Sequence, residues 1–279
     1  MTLVMADSQP EYVFTRDYID NNRINLQHYQ WVQLFGYHLH PSIPAVGSQH
    51  RIADVGTGTG VWLTDLSAHL PATVQLDGLD VSLKAIPPVE WLPSNVSFRQ
   101  WDIREAVPED LVGQYDIVHI RLFIFVLLDK EVPEILQKLT MLLKPGGYLQ
   151  WDEVDISSFR IGKARPDNKI EALTRLFHLS RVQDPRLAPT WVPKLAALAG
   201  GAGLCDIQED KRDAQGHLAF AMHECNLMLH ELLARTTRNA AYAEQLSQIM
   251  PEVAEETRKG ATWDFTRWTV VARKAAKPQ

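Results

Sequence analysis

At 279 residues the chain is long enough for one large core or a core plus a cap. Its charge of −6, from 28 basic and 34 acidic residues with no basic block, gives a nucleic-acid substrate no electrostatic support. The 46% hydrophobic share marks a globular chain, the two cysteines lack metal or disulfide spacing, and no apolar run approaches a membrane span.

In chain order, Met1–Met5 is mildly apolar but far too short for a signal peptide, and poor order is expected over Met1–Pro10. A soluble, cytoplasmic protein is the default expectation. Glu11–His40 is helix-compatible, with Ile24, Tyr29 or Trp31, Phe35 and Leu39 as an apolar stripe and Pro41 and Pro44 as stops. Asn22, Arg23, Asn25, Gln27 and His28 crowd this helix with polar groups, which fits either a solvated face or a closing lid.

Ile52–Val55 is a short apolar run of the kind found in a central parallel strand, ending on Asp54 and the turn Gly56-Thr57-Gly58-Thr59-Gly60. A helix follows over Val61–Leu70. A strand, a glycine turn and a helix in that order make a nucleotide-binding corner. Val61 occupies the place of the third glycine of a dinucleotide fingerprint, and no Gly-Lys-Ser/Thr follows, so both phosphate-cradling readings weaken. Asp54 at the strand end instead suits a ligand carrying a cation, faced directly or through water.

Val74–Leu79 reads as the next strand and ends on Asp80 and Val81, at the interval where nucleotide folds place a carboxylate on ribose hydroxyls. Val96–Trp101 reads as a third, ending on Asp102 and Ile103, where a carboxylate can accept from an adenine amino group. Three strand ends carrying Asp54, Asp80 and Asp102 fit one adenosyl ligand laid across a sheet.

Pro87, Pro88 and Pro93 predict a short or broken helix after the second strand. Ile117–Ile120 is the fourth strand, with His119 and Arg121 at its carboxyl end, as ligand contacts or as structural donors. An amphipathic helix spans Val132–Leu143, and the fifth strand closes the sheet region near Val154. Trp151, Asp152, Glu153 and Asp155 are expected as an acidic cluster in the mouth. Helices follow over Lys169–Arg181, Pro193–Ala199, His217–Arg235 and Asn239–Arg258, with strands over Cys205–Ala214 and Trp263–Arg273.

The glycine turn, the run YDIVHIRLFIFVLL from Tyr115 and the run LLKPGGYLQWDEVD from Leu142 resemble the class I S-adenosylmethionine-dependent methyltransferases. With NNRINLQH, HPSIP, AMHECNL and WDFTRWTVV, the chain is similar to the fungal secondary-metabolite methyltransferases, a group that includes a global regulator. Among these it looks most like the glandicoline-type indole-alkaloid O-methyltransferases. The resemblance implies an α/β fold with a mostly parallel sheet and helices on both faces. It implies a helical lid over 1–45, a cofactor-binding core over 46–155 and an acceptor cap over 156–279 interleaved with the last strands. S-adenosylmethionine is the implied cofactor, without a metal, and the implied acceptor is a hydroxyl on an aromatic alkaloid, such as an N-hydroxyindole. A monomer or homodimer is expected.

Cofactor contacts are then expected from Asp54, Gly56, Thr57, Gly58, Gly60, Asp80, Val81, Asp102, Ile103 and His119. Acceptor contacts are expected from Arg121, Phe177, Met222, His223 and Asn226, with His230 beside them; at helical spacing Met222 also reads as core. A hydroxyl acceptor needs a base, and a histidine is tuned for that near neutral pH. His28 in the lid is the first candidate, and Glu153 is the second, as base or as the partner of a histidine. Two rival readings stay open: a regulator that keeps the fold without an acceptor, and a pericyclase-type enzyme that uses the sulfonium only as charge. Short tails favour the enzyme over the regulator.

Overall fold

The computed structural model describes residues 16–183 and 185–276. The expectations for Met1–Pro10 and for a helix start at Glu11 lie outside the described residues. Seven strands form one sheet in the order β3-β2-β1-β4-β5-β7-β6. They are β1 Arg51–Val55, β2 Gln75–Asp80, β3 Val96–Gln100, β4 Tyr115–Arg121, β5 Leu143–Lys163, β6 Leu204–Asp213 and β7 Ala261–Lys274. The first five run parallel, and β7 lies antiparallel between β5 and β6. The helices are α1 Tyr18–Phe35, α2 Val61–Ser67, α3 Val132–Leu142, α4 Glu171–Arg181, α5 Leu195–Gly201, α6 Gly216–Thr236 and α7 Ala240–Arg258.

Parallel strands covered on both faces must be apolar on both. Ile52, Leu76, Ile117 and Val271 pack under Trp62, Leu63 and Leu66 of α2. Ala53, Val55, Val118, Ile120 and Leu149 turn the other way, onto Ile135, Leu136, Leu139 and Leu142 of α3. The same alternation sets Asp54 and His119 on the α2 face.

Helix α1 is capped by Asp17, whose side chain accepts from the N–H groups of Ile19 and Asp20. It stops at Phe35, earlier than His40, because Gly36 takes a left-handed conformation and its N–H returns to Val32. Trp31 and Phe35 face inward and Tyr29 outward. The polar group divides: Arg23 and His28 are buried, Asn22 is exposed.

The proline-rich loop holds only a 3₁₀ turn at Val89–Trp91, the short helix its prolines predict. Two expectations change. Strand β5 continues past Val154 to Lys163, paired with β7 beyond an irregularity at Asp155/Arg160. The acids of β5 form no single cluster, since neighbouring strand residues point to opposite faces. Asp152 lies on the α2 face, Glu153 on the α3 face with Trp151, and Asp155, also buried, accepts from Ser157.

Candidate active site

The turn after β1 exists because its glycines do. Gly56, Gly58 and Gly60 have φ of +69°, +59° and +75°, a region L side chains rarely adopt. A Cβ at Gly56 would lie 2.3 Å from the Phe123 ring, and one at Gly60 would lie 2.6 Å from Phe98. At Gly58 the nearest atom is Ile24 Cγ2 at 3.8 Å, so this position is open and is roofed by α1.

Asp80 reaches back across the turn. Its Oδ2 accepts from Gly58 N at 2.9 Å and its Oδ1 from Ser82 N at 3.0 Å. Burial pushes its pKa up, against the pull of the Ser82 and Gly58 amides. Among the described residues Thr57 Oγ1 is buried without a hydrogen-bond partner, a cost that a ligand polar group would remove. Asp102 accepts from Arg104 N at 2.9 Å, Ile103 is buried beside it, and Val81 is exposed, its carbonyl accepting from Gln100. An open glycine position, an orphaned hydroxyl and carboxylates at successive strand ends fit an adenosyl amino acid.

A buried polar seam crosses the sheet beneath the turn. His119 donates from Nδ1 to Asp54 Oδ1 at 2.7 Å and from Nε2 to Asp152 Oδ2 at 3.1 Å, while its ring stacks on Trp62 with centroids 3.8 Å apart. Thr269 Oγ1 donates to Asp152 Oδ1 at 2.8 Å. Burial alone would lower the His119 pKa, but its hydrogen bonds to Asp152 and Asp54 overturn that and raise it. His119 is thus a buried support for Asp54. Trp62 was absent from the expected site; its position two residues after Gly60, in the first turn of α2, was the available signal.

Helix α1 is latched to this floor. Thr59 Oγ1 donates to Asn25 Oδ1 at 2.7 Å, and Arg121 Nη2 donates to His28 Nδ1 at 3.0 Å. That bond places the His28 proton on Nε2, which faces Asp65 Oδ2 at 2.8 Å; His38 Nε2 meets the same oxygen at 2.7 Å. Burial, then the Arg121 charge, pulls the His28 pKa down to about 4. Asp65 is also desolvated, yet the two histidines bring its pKa below the usual value. The ligand atoms of His28, His38 and Asp65 lie within 4.8 Å of one another, close enough for a divalent cation. Arg121, however, leaves His28 an N–H toward Asp65 where a metal needs a lone pair.

The structure does not gather the other candidates around the turn. Glu153 accepts from Phe123 N at 2.7 Å, Val154 N at 3.1 Å and Trp151 Nε1 at 3.3 Å; it pins the loop after β4, where Leu122 has φ +60°. Burial pushes its pKa up to about 8. His223 accepts from Trp263 N and its Nε2 meets Thr257 Oγ1. Phe177 stacks on Phe159 beside Trp263 and Phe265. Met222 is buried with Ala214 and Ala219, and Asn226 accepts through its carbonyl from His230. A groove of about 750 Å³ lies between α6, α7 and Ile19, lined by Phe220, Leu227, Met228 and Met250 and by no expected acceptor residue.

Residues 52–147 match the family described as Methyltransferase domain. The chain is 37% identical over 165 residues to Methyltransferase grgD of Penicillium sp, covering 56% of this chain and 57% of that one. It is 28% identical over 204 residues to N-methyltransferase tcpN of Claviceps purpurea, covering 70% and 69%. It thus spans little more than half the length of the Penicillium relative. The YcgJ protein of Bacillus subtilis superposes with a TM-score of 0.51 at 16% identity, over 90% of this chain and 98% of that one. The strand order is that of the class I methyltransferase fold, and residues 52–147 are similar to a methyltransferase domain. Among the described residues no helix is long and apolar enough to cross a membrane.

Proposed function

We propose that the chain transfers a methyl group from S-adenosylmethionine to a small-molecule acceptor of fungal secondary metabolism, with a hydroxyl on an indole alkaloid, such as an N-hydroxyindole, as the first acceptor to test. The observation that carries the cofactor half is the open Gly58 position beside the orphaned Thr57 hydroxyl and Asp80. The sulfonium supplies an activated methyl carbon; the protein's work is to align a lone pair with it and exclude water. Asp80 and Asp102 would hold the adenosine, Asp54 would face the ammonium, and α1 would act as the lid over Gly58.

A nitrogen acceptor is the second reading, and one observation favours it. His28 and Glu153, the two expected bases, spend their acceptor atoms on Arg121 and on the Phe123 and Val154 amides. A neutral amine needs no base before attack, whereas a hydroxyl does. The name of the Claviceps relative points the same way.

Incubation with S-adenosylmethionine and a panel of hydroxylated and amino indole alkaloids, read by mass spectrometry, tests both. One added methylene with release of S-adenosylhomocysteine is expected. Conversion without that release would mark a pericyclase-type reaction, and binding with no turnover of any acceptor would favour the regulator.

A further inference from the structure

Arg121 stands at the carboxyl end of β4, one position past the Val55/Ile120 pair that aligns β1 with β4, on the same sheet face as Asp54 and His119. Among the described residues one hydrogen bond holds its guanidinium, that from Nη2 to His28 Nδ1, and the Trp31 ring lies 5.9 Å below. Among the described residues no carboxylate comes within ion-pair distance of it, so most of its five donors remain unfilled. Asp54 is the complement: His119 holds its Oδ1, and its Oδ2 makes no hydrogen bond among the described residues. Burial is the largest influence on Arg121 and lowers its pKa, opposed by the charges of Asp152, Asp54 and Glu153.

A cation and an anion with spare hydrogen-bonding capacity, on adjacent strand ends beside an open glycine, match the two charges of an α-amino acid. Resting on the cofactor reading above, we infer that Arg121 is the carboxylate anchor of this site and grips the carboxylate of the cofactor's methionyl group. The guanidinium fork suits a planar carboxylate, and His28 and Trp31 keep the fork aimed without neutralising it. The contact to His28 also joins the anchor to α1, so the residue that grips the carboxylate also holds the lid.

Calorimetry on the full chain tests this with two ligands, S-adenosylhomocysteine and its decarboxylated analogue S-adenosyl-3-thiopropylamine. The wild type should prefer the carboxylate-bearing ligand by about tenfold or more, a readout that needs no variant. Arg121→Gln should lose roughly 10- to 100-fold for S-adenosylhomocysteine and little for the analogue, with Arg121→Lys recovering part of the loss. Equal affinity of the wild type for both ligands, or equal losses on both in Arg121→Gln, overturns the anchor. An Arg121→Gln variant that binds S-adenosylhomocysteine normally but shows a raised KM for an acidic acceptor also overturns it and assigns the arginine to the acceptor. A wild type that binds neither ligand brings down the cofactor reading as well, so the two failures are distinct.

Discussion

The imidazole of His119 lies flat on the indole of Trp62, ring planes 2° apart, with a carboxylate at each of its two nitrogens. An imidazolium fits there because both N–H groups find an acceptor and the ring face finds a π system. His119→Phe would keep the stack but leave Asp54 and Asp152 facing each other without a cation. We expect a loss of about 3–5 kcal/mol in urea unfolding, the scale of breaking a buried ion pair. A loss below about 1 kcal/mol would mean the carboxylates take up protons or water instead.

His28→Ala should act on the lid. With Nδ1 committed to Arg121 and the proton on Nε2, the variant should raise the Michaelis constants for cofactor and acceptor several-fold at every pH. A fall in kcat of roughly 10²- to 10⁴-fold that shrinks as pH rises would restore the general-base role.

Gly58→Val should abolish cofactor binding, because its side chain would enter the open position, and leave the domain folded, because its Cβ meets no described atom closer than 3.8 Å and the strain of a φ of +59° stays within the turn. Gly56→Ala should instead unfold the turn, since its Cβ meets the Phe123 ring. Circular dichroism with ligand titration separates the two, and unaltered binding by Gly58→Val would move the site elsewhere.

Asp80→Ala should weaken S-adenosylhomocysteine binding by about 1.5–3 kcal/mol, for loss of a charge-assisted contact to the ribose. Calorimetry decides it, and unchanged affinity would remove Asp80 from the site.

Glu153 should give stability an unusual slope. Its pKa is raised by burial to about 8, so between the ordinary carboxylate range and pH 8 the folded state holds more protons than the unfolded one. Stability should therefore fall as pH rises through that window, and Glu153→Gln should flatten the curve. Melting temperatures from pH 5 to 9 test this; a curve of the same shape in both proteins would refute the burial effect.

The sheet was readable because its strands obey local rules: apolar runs at Ile52–Val55 and Ile117–Ile120, prolines and glycines between elements, and acids at the strand ends. The residues proposed to hold the cofactor, Gly56–Gly60, Asp80 and Asp102, were legible as candidates for the same reason, since they sit within single motifs. The partnerships were not. Asp65 and His38 reach His28 across 37 and 10 positions, and nothing local in α2 says that Trp62 will carry His119. The histidines and phenylalanine of the inserted helices misled because burial, which periodicity reports, does not distinguish a pocket wall from the packing behind it. His223 between Trp263 and Thr257, and Phe177 on Phe159, are packing.

Strand β7 comes after β6 in sequence, yet it sits between β5 and β6. When a ribosome has delivered every residue up to Gly260, β1 to β5 can pair, while β6, which among the described residues pairs only with β7, has no strand beside it. The β5 edge over residues 148–163 then offers bare N–H and C=O groups as a template for a neighbouring nascent chain. Sheet closure must wait for a contact with very distant residues, the slow kind of folding step. A longer wait for β7 leaves that edge open longer and should lower the yield of folded protein.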